Sequence, residues 1–556
     1  MQEIKDQWIW FVDDELIPAL LRMEPADGQF KRRAASSAAF VKAVALHLEG
    51  LTEQALSELL RAGENPKHAA ECYSAAGHIQ FELERYDEAV HSYSKAVAAE
   101  PQSRTAHFNL GLALERLKRY REAAVAFERA SELDPGRAEP RIGLGVCLLH
   151  LKKPKQAQET FEQCLNRDPN NPTVLFGKAV SLQLQWQFEP AGEIYRKLLQ
   201  RNPNAEEVLV NQIAISIARK DMISLQECAE RLQRVRPKSR TVLEAFSTLA
   251  LNRQEWDRAL QHCRELTEVD SELMEGWFNL GFALQKKGDL DGALKAYHKA
   301  ASLRPDHKLV HLAIAGALDE KGDWEGARRS YERAIQAAPD QPAPLWALAV
   351  AYEKRNALQD AEKVYMRLVK VAPASADAWF RLGHLRALRG SWKGSAEAFE
   401  ECTRIRGDWA DAFVNLGVSY WQLGDRETAA QAFEMANAAE PGSTEILRAI
   451  AGLSLEMHEL AKAEEIERKL ADAGESTADL LYNIGLLRQK DGDHQEAARF
   501  YRQALAQKPK FSEALINLGH ALRAVGEEQE ARRCWRQAVE YDPQLADNYF
   551  AKLQRN

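Results

Sequence analysis

Proline returns at a fixed interval of 34 residues along most of this 556-residue chain. The repeated position falls at Pro101, Pro135, Pro169, Pro203, Pro237, Ser271, Pro305, Pro339, Pro373, Gly407, Pro441, Glu475, Pro509 and Pro543. Eleven of these fourteen residues are proline, and no insertion shifts the interval. A constant period of this length predicts small units stacked in a row, because one such unit cannot bury an apolar face alone.

Each unit also repeats a pattern of side-chain size. A small residue recurs in the first half at Gly77, Gly111, Gly145, Gly281, Gly383, Gly417, Gly485 and Gly519. Twelve residues later most units have alanine, and four residues after that most have a ring, as in Ala293 and Tyr297. Glycine inside a helix costs about 1 kcal/mol relative to alanine. Its recurrence therefore predicts two helices in close approach, with the ring filling the space beside the glycine.

Turn residues separate the two halves of a unit. Gly-Asp pairs occur at Gly288-Asp289, Gly322-Asp323, Gly424-Asp425 and Gly492-Asp493. Glycine accepts the left-handed conformation that ends one helix, and aspartate caps the start of the next. The unit is therefore predicted to be a helix–turn–helix.

This order of large, small, turn, small, aromatic, small and proline resembles the tetratricopeptide repeat, most completely over residues 277–305. The resemblance implies an all-α fold, a right-handed superhelical solenoid of about 15 tandem 34-residue repeats over residues 36–545. It also implies that the first helix of each repeat lines a concave groove.

Some segments depart from the pattern. In residues 206–273 the glycine position holds Ile213 and Ser247, and unit 444–477 ends without its proline. Helix pairs are still expected in these divergent units, with altered packing. Residues 1–35 are predicted to form a capping helix over about 3–23, and residues 546–556 a short C-terminal capping helix over 546–553. Association with a partner or with a second copy of the chain, through Trp8 and Trp10, is an alternative role for this segment, since both rings cannot easily point inward.

Composition narrows the class of protein. The net charge of −8 argues against a dedicated binder of phosphate backbones, so no nucleic-acid partner is expected. Seven cysteines without a C-x-x-C pair favour a reducing, cytoplasmic location and disfavour a zinc site. The sequence contains no apolar run long enough for membrane insertion. It has no recognisable catalytic or nucleotide-binding motif either, so no cofactor, metal or enzymatic activity is expected.

Asparagine recurs two residues before the glycine position, at Asn109, Asn211, Asn279, Asn415, Asn483 and Asn517. Its amide donates and accepts, so it can bind the backbone of a partner segment without reading its sequence. The pattern resembles the asparagine ladder in the repeat domain of O-linked N-acetylglucosamine transferase, which implies that these residues face the groove. Here Gly143, Gly177, Ala245, Ala313, Ala347 and Arg381 interrupt the ladder. Hydrogen bonds between adjacent repeats are an alternative role, and both roles can coexist.

Aromatic residues precede this position. They are Phe108, Phe176, Phe278, Trp346, Phe380 and Tyr482, and Trp421 lies on a following helical turn. Such a stripe could hold apolar side chains of a bound segment, as aromatic anchors do in interfaces. The alternative is packing within the array.

The leading hypothesis is a non-catalytic protein–protein interaction scaffold that binds peptide or protein segments in its groove. One alternative is a substrate-selecting, non-catalytic subunit of an enzyme complex such as a glycosyltransferase. Another is an RNA-binding helical repeat, against which the acidic balance counts.

Overall fold

The computed structural model describes residues 38–544, which form α-helices joined by short turns, without a strand. The helices predicted over 3–23 and 546–553, with Trp8 and Trp10, lie outside the described residues. The chain divides into two compact units, residues 1–303 and residues 304–556. In each unit the described helices follow in pairs, and each helix packs against the next along the chain. The all-α repeat fold predicted from the sequence is confirmed.

The first unit contains eight helix pairs within its described residues. They are α1 (Ala38–Leu48), α2 (Thr52–Ala62), α3 (Ala69–Glu82), α4 (Tyr86–Ala99), α5 (Arg104–Arg116), α6 (Tyr120–Leu133), α7 (Glu139–His150), α8 (Pro154–Leu165), α9 (Pro172–Leu184), α10 (Phe188–Arg201), α11 (Glu206–Arg219), α12 (Met222–Val235), α13 (Arg240–Asn252), α14 (Trp256–Val269), α15 (Met274–Lys286) and α16 (Leu290–Leu303).

The second unit contains seven pairs within its described residues. They are α17 (Lys308–Lys321), α18 (Trp324–Ala337), α19 (Pro342–Lys354), α20 (Leu358–Val371), α21 (Ala376–Leu388), α22 (Trp392–Ile405), α23 (Ala410–Leu423), α24 (Arg426–Ala439), α25 (Thr444–Glu456), α26 (Leu460–Asp472), α27 (Ala478–Lys490), α28 (His494–Gln507), α29 (Ser512–Ala524) and α30 (Glu528–Tyr541).

The turn inside a repeat has the geometry that its residues predict. The glycines of the four Gly-Asp pairs are left-handed, with φ between 82° and 86°. Each following aspartate accepts a hydrogen bond from the backbone N–H three residues on, at 2.9–3.2 Å. In eight other turns a residue other than glycine has this left-handed backbone conformation, among them Gln254 with φ 59°.

The core of a repeat is a contact between glycine and ring. A Cβ built on Gly281 would lie 2.6 Å from Cδ1 of Tyr297, and one on Gly417 would lie 2.6 Å from Cε1 of Phe433. Both rings are fully buried. The prediction that the ring fills the space beside the glycine is confirmed, and it explains why a larger residue is excluded there.

The divergent residues 206–273 also form helix pairs, but the larger side chain now lies on the first helix and the smaller one on the second. Ile213 stands at the glycine position and Ala229 at the ring position, and both are buried in one cluster. In the next repeat Ser247 and Cys263 take these positions. A larger side chain on the first helix thus compensates for a smaller one on the second. Unit 444–477 also forms a pair, α25 with α26.

Candidate functional site

The six asparagines of the predicted ladder do not share one environment. Asn109 and Asn211 are buried, at 5% and 1% exposure. Asn483 is exposed, while Asn279, Asn415 and Asn517 are half-buried. A partner on the surface therefore cannot reach Asn109 or Asn211, and these two do not belong to an accessible ladder.

Three of the asparagine side chains bind groups within the protein. Nδ2 of Asn211 donates to the Glu207 carbonyl at 2.8 Å, and that of Asn415 to the Asp411 carbonyl at 2.7 Å. Nδ2 of Asn517 donates to Tyr482 Oη of the preceding repeat at 2.9 Å. Of these three hydrogen bonds, only the one from Asn517 joins adjacent repeats, which is the alternative role that the sequence suggested for the asparagines.

At two of the interrupted repeats this position faces the ring of the preceding repeat. Where the ladder is interrupted, a Cβ on Gly143 would lie 2.8 Å from Cζ of Phe127. A Cβ on Gly177 would lie 2.5 Å from Cζ of Phe161. Glycine interrupts the ladder at these two repeats because a neighbouring ring occupies the space.

The predicted aromatic stripe packs on the rings of its own repeats. Ring centroids lie 5.5–5.8 Å apart in the pairs Phe108–Phe127, Phe278–Tyr297, Trp346–Tyr365, Phe380–Phe399 and Tyr482–Tyr501. Phe108 is buried, whereas Phe278, Trp346, Phe380 and Tyr482 keep part of their surface exposed. Trp421 is half-buried, and its Nε1 donates to Glu456 Oε2 at 3.0 Å. Five rings of the stripe, with Trp421 included, therefore keep part of their surface exposed.

Two of these rings, Trp346 and Phe380, line one cleft in the second unit. The cleft has a volume of about 730 Å³ and lies on consecutive first helices, α19 and α21, and at the start of α23. Its complete lining is Pro342, Ala343, Trp346, Ser375, Asp377, Phe380, Arg381 and Trp409. Apolar walls with a few polar groups at one side are the usual composition of a ligand site.

Trp409 is the cleft residue that the sequence reasoning missed. Its ring stacks on Phe380 with centroids 4.4 Å apart and an interplanar angle of 14°. The guanidinium of Arg406 lies over the Trp409 ring, 4.7 Å from its centroid. A signal was present in the sequence, because Trp409 occupies a helix N-cap position although an indole cannot accept the capping hydrogen bond. The equivalent Ser375 does accept such a bond, from Ala378 N–H.

A related arrangement, with tilted instead of stacked rings, occurs three repeats later at Tyr482. Phe511, which also occupies an N-cap position, packs on Tyr482 with ring centroids 4.9 Å apart. The Lys508 ammonium lies 4.1 Å from the Phe511 centroid. Cations stabilise such aromatic pairs by interacting with the electron-rich ring faces. The second unit therefore contains two groups in which a cation and a ring of the aromatic stripe each contact an aromatic residue at a helix N-cap position.

Three polar residues, Ser375, Asp377 and Arg381, also line this cleft. Arg381 is half-exposed and forms an ion pair with Glu353 at 3.5 Å. Asp377 is exposed one helical turn earlier, and Ser375 caps α21. These side chains supply both a cation and acceptors beside the aromatic walls.

The cysteines supply no reactive group. All seven are buried and free. Burial raises the pKa of Cys263 to about 12, and those of Cys228 and Cys402 to about 11. Among residues 38–544 no group of three or more His, Cys, Asp or Glu is placed to hold a metal ion. None of the helices in that range is long and apolar enough to cross a bilayer.

Two solved structures show a weak likeness to the chain. The APC/C hetero-tetramer Cut9–Hcn1 is 13% identical over 84% of this chain and 92% of that one, with a TM-score of 0.33. YrrB, described as a TPR protein with an unusual peptide-binding site, is 23% identical over 34% of this chain and 98% of its own, with a TM-score of 0.29. A search of curated proteins gives no match.

Family models give a stronger result. Three models, each described as a tetratricopeptide repeat, match residues 74–138, 245–308 and 278–342; 114–179, 320–387 and 489–556; and 410–442. Together they span more than half of the 556 residues. With the paired helices and the glycine–ring contacts, these matches show that the chain belongs to the tetratricopeptide repeat family.

Proposed function

We propose that this protein is a non-catalytic interaction scaffold, and that the cleft around Trp346, Phe380 and Trp409 holds an extended segment of a partner protein. The occupant inserts a large apolar or proline side chain between the aromatic walls. Its backbone and carboxylate groups meet Ser375 and Arg381 at the polar side.

The observation that carries the proposal is the Trp409–Phe380 stack. A cap residue such as serine stabilises a helix start by about 1 kcal/mol. At α23 that hydrogen bond is absent, and a large, half-exposed ring extends the apolar wall instead. Rings of this kind dominate binding energies because they bury much area at a small cost in side-chain entropy.

The accessible asparagines have a secondary role in this proposal. Asn483 is exposed, and Asn415 is half-buried with its Nδ2 already bonded to Asp411. The free acceptor of Asn415 and the whole amide of Asn483 can bind a backbone that continues along the first helices of the second unit. The proposal gives no such role to Asn109 and Asn211, which are buried.

The test selects partners from a random peptide library displayed on phage, with the full chain as bait. Selected peptides are then measured on Trp346→Ala, Trp409→Ser and the control Trp379→Ala. Trp379 lies on the same helix, outside the cleft, with its Nε1 bonded to the Pro373 carbonyl. Affinity should fall about tenfold or more on the two cleft variants and stay within about twofold on the control. Peptides that bind all four proteins alike would refute the cleft as the binding site.

Substrate selection for a separate enzyme and RNA binding stay predictions from the sequence. A partner with catalytic activity, recovered with full-length protein and lost with Trp409→Ser, would place the scaffold in the first of these classes. RNA binding would instead show a steep loss of affinity with salt.

A further inference from the structure

Val125 is an apolar residue at a position where every other repeat has a polar residue. It lies in the middle of α6 and is 66% exposed. The equivalent residues, 34 apart, are Ser57, His91, Glu159, Glu193, Glu227, Gln261, Lys295, Arg329, Lys363, Glu397, Gln431, Glu465, Arg499 and Arg533. A solvent-facing valine gives the isolated repeat no folding advantage, so its surroundings indicate why it is there.

A groove of about 730 Å³ opens beside it, lined by residues of α4, α5 and α6 in the first unit. Val90, Leu114 and Ala126 are buried and form its floor, and Val97 and Leu110 are half-buried. With Val125 these residues make a continuous apolar surface between two second helices, α4 and α6. Neighbouring helix pairs leave such grooves, into which the side-chain ridge of a further helix can pack.

The walls of the groove are basic. Arg121 and Arg129 flank Val125 at four residues on either side, so all three side chains share one helix face. Arg119 also lines the groove, and Glu122 is its one acidic residue. Arg119 pairs with Glu122 and Arg129 with Glu132, each at 2.7 Å, whereas Arg121 has no ion pair within residues 38–544. A net positive groove thus stands on a chain whose net charge is −8.

We propose that this groove is a second docking surface, for an acidic amphipathic helix of a partner protein. The apolar face of the helix covers Val125 and the floor, and its carboxylates pair with Arg121 and Arg129. Helix-in-groove recognition uses this combination of a central apolar row and flanking charges. An apolar floor does not suit a phosphate backbone, which needs cationic contacts along its length. The proposal is independent of the aromatic cleft, since it concerns other residues in the other unit.

The experiment uses a library of displayed peptides on the full chain carrying Trp346→Ala and Trp409→Ser, which removes ligands of the aromatic cleft. Recovered peptides are compared on this protein with V125E or R121E added. Both changes are compatible with the fold, because equivalent positions hold Glu159 and Glu193 in the first case and Glu53 and Glu189 in the second. Val269→Glu alters another half-exposed valine, at the end of α14, and serves as the matched control.

Acidic peptides with helical apolar spacing should be enriched, and V125E and R121E should each weaken them about tenfold or more. V269E should leave their affinity unchanged, and raising the salt concentration should weaken binding. Enrichment only of basic or neutral peptides, or of peptides indifferent to V125E, would overturn the proposal. In a second experiment, a photoreactive amino acid at position 125 is crosslinked to whatever lies in the groove. Its capture of residues 1–37 of the same protein would also overturn it, because the groove would then be filled internally.

Discussion

The indole of Trp409 lies nearly parallel to the phenyl ring of Phe380, with centroids 4.4 Å apart, although the two residues belong to successive repeats. One of them ends a connecting turn and the other lies within a first helix. Their stack ties the turn before α23 to the surface of α21. The protein thereby obtains an apolar wall at a junction where some repeats, such as the one that begins with α21, have a capping serine.

Trp409→Ser should change binding much more than stability. The new serine can accept a hydrogen bond from the Ala412 N–H, which is worth about 1 kcal/mol. Loss of the stack costs about 0.5–1.5 kcal/mol. These terms oppose each other, so the free energy of unfolding should change by less than about 1 kcal/mol. Thermal and urea denaturation check this value, and a loss above about 2 kcal/mol would assign Trp409 a mainly structural role.

Gly281→Ala should destabilise the first unit. The added methyl group would lie 2.6 Å from two carbons of the buried Tyr297 ring, and neither helix can move away without disturbing its neighbours. Overpacking of this kind costs about 1–3 kcal/mol. Hydrogen exchange of α15 and α16, followed by mass spectrometry, should show faster opening.

Gly316→Ala is the matched control for that change. Gly316 also lies inside a first helix, α17, but no atom stands within 4 Å of a Cβ placed there. The helix propensity of alanine should then stabilise α17 by up to about 1 kcal/mol. If Gly281→Ala and Gly316→Ala changed the stability in the same direction, contact with the ring would not be the reason for glycine at the repeated position.

The sequence was sufficient to predict the helix pairs and their core. Gly281 and Tyr297 are 16 residues apart in one repeat, so their contact follows from the repeat's own pattern. The left-handed turn at Gly288 is equally local, because glycine followed by aspartate favours both the end of one helix and the start of the next.

The surface could not be predicted as well, because it depends on contacts between repeats. Asn109 and Asn279 occupy the same repeat position, yet the first is buried and the second is half-exposed. The difference arises from how the preceding repeat packs on each one. Trp409 was missed for the same reason, since its stack on Phe380 crosses a repeat boundary. Its one signal was a large aromatic ring at a helix N-cap position.

Gln254→Gly should stabilise the turn between α13 and α14. Gln254 is held at φ 59°, a conformation that costs a residue with a Cβ about 1–2 kcal/mol. Glycine removes that cost but adds about 0.4–1 kcal/mol of unfolded-state entropy. A net gain of about 0.5 kcal/mol is expected in denaturation experiments. The reciprocal change Gly288→Ala, at φ 83°, should lower stability, and equal effects from the two would contradict the assignment of strain.

Glu244 should make the stability of the first unit depend on pH. Its side chain is buried in α13, and burial raises its pKa to about 8, with Glu275 and Asp270 adding to the shift and Arg240 opposing it. An unfolded glutamate has a pKa of about 4.3. Between these values the folded state binds the proton that the unfolded state has lost. The contribution of Glu244 to the free energy of unfolding is therefore highest below about pH 4.3. It falls as the pH rises toward 8.

The slope of that fall is at most about 1.4 kcal/mol per pH unit. Glu244→Gln keeps the shape of the side chain but cannot ionise, so the variant should lose this dependence. In the Glu244→Gln variant, the protection factors for hydrogen exchange in α13 should exceed those of the parent protein at pH 8 and match them near pH 4.5. Glu227→Gln, at an exposed position of α12, should reproduce the parent profile. Parallel profiles for the parent and Glu244→Gln would mean that Glu244 is ionised in the folded protein throughout this range.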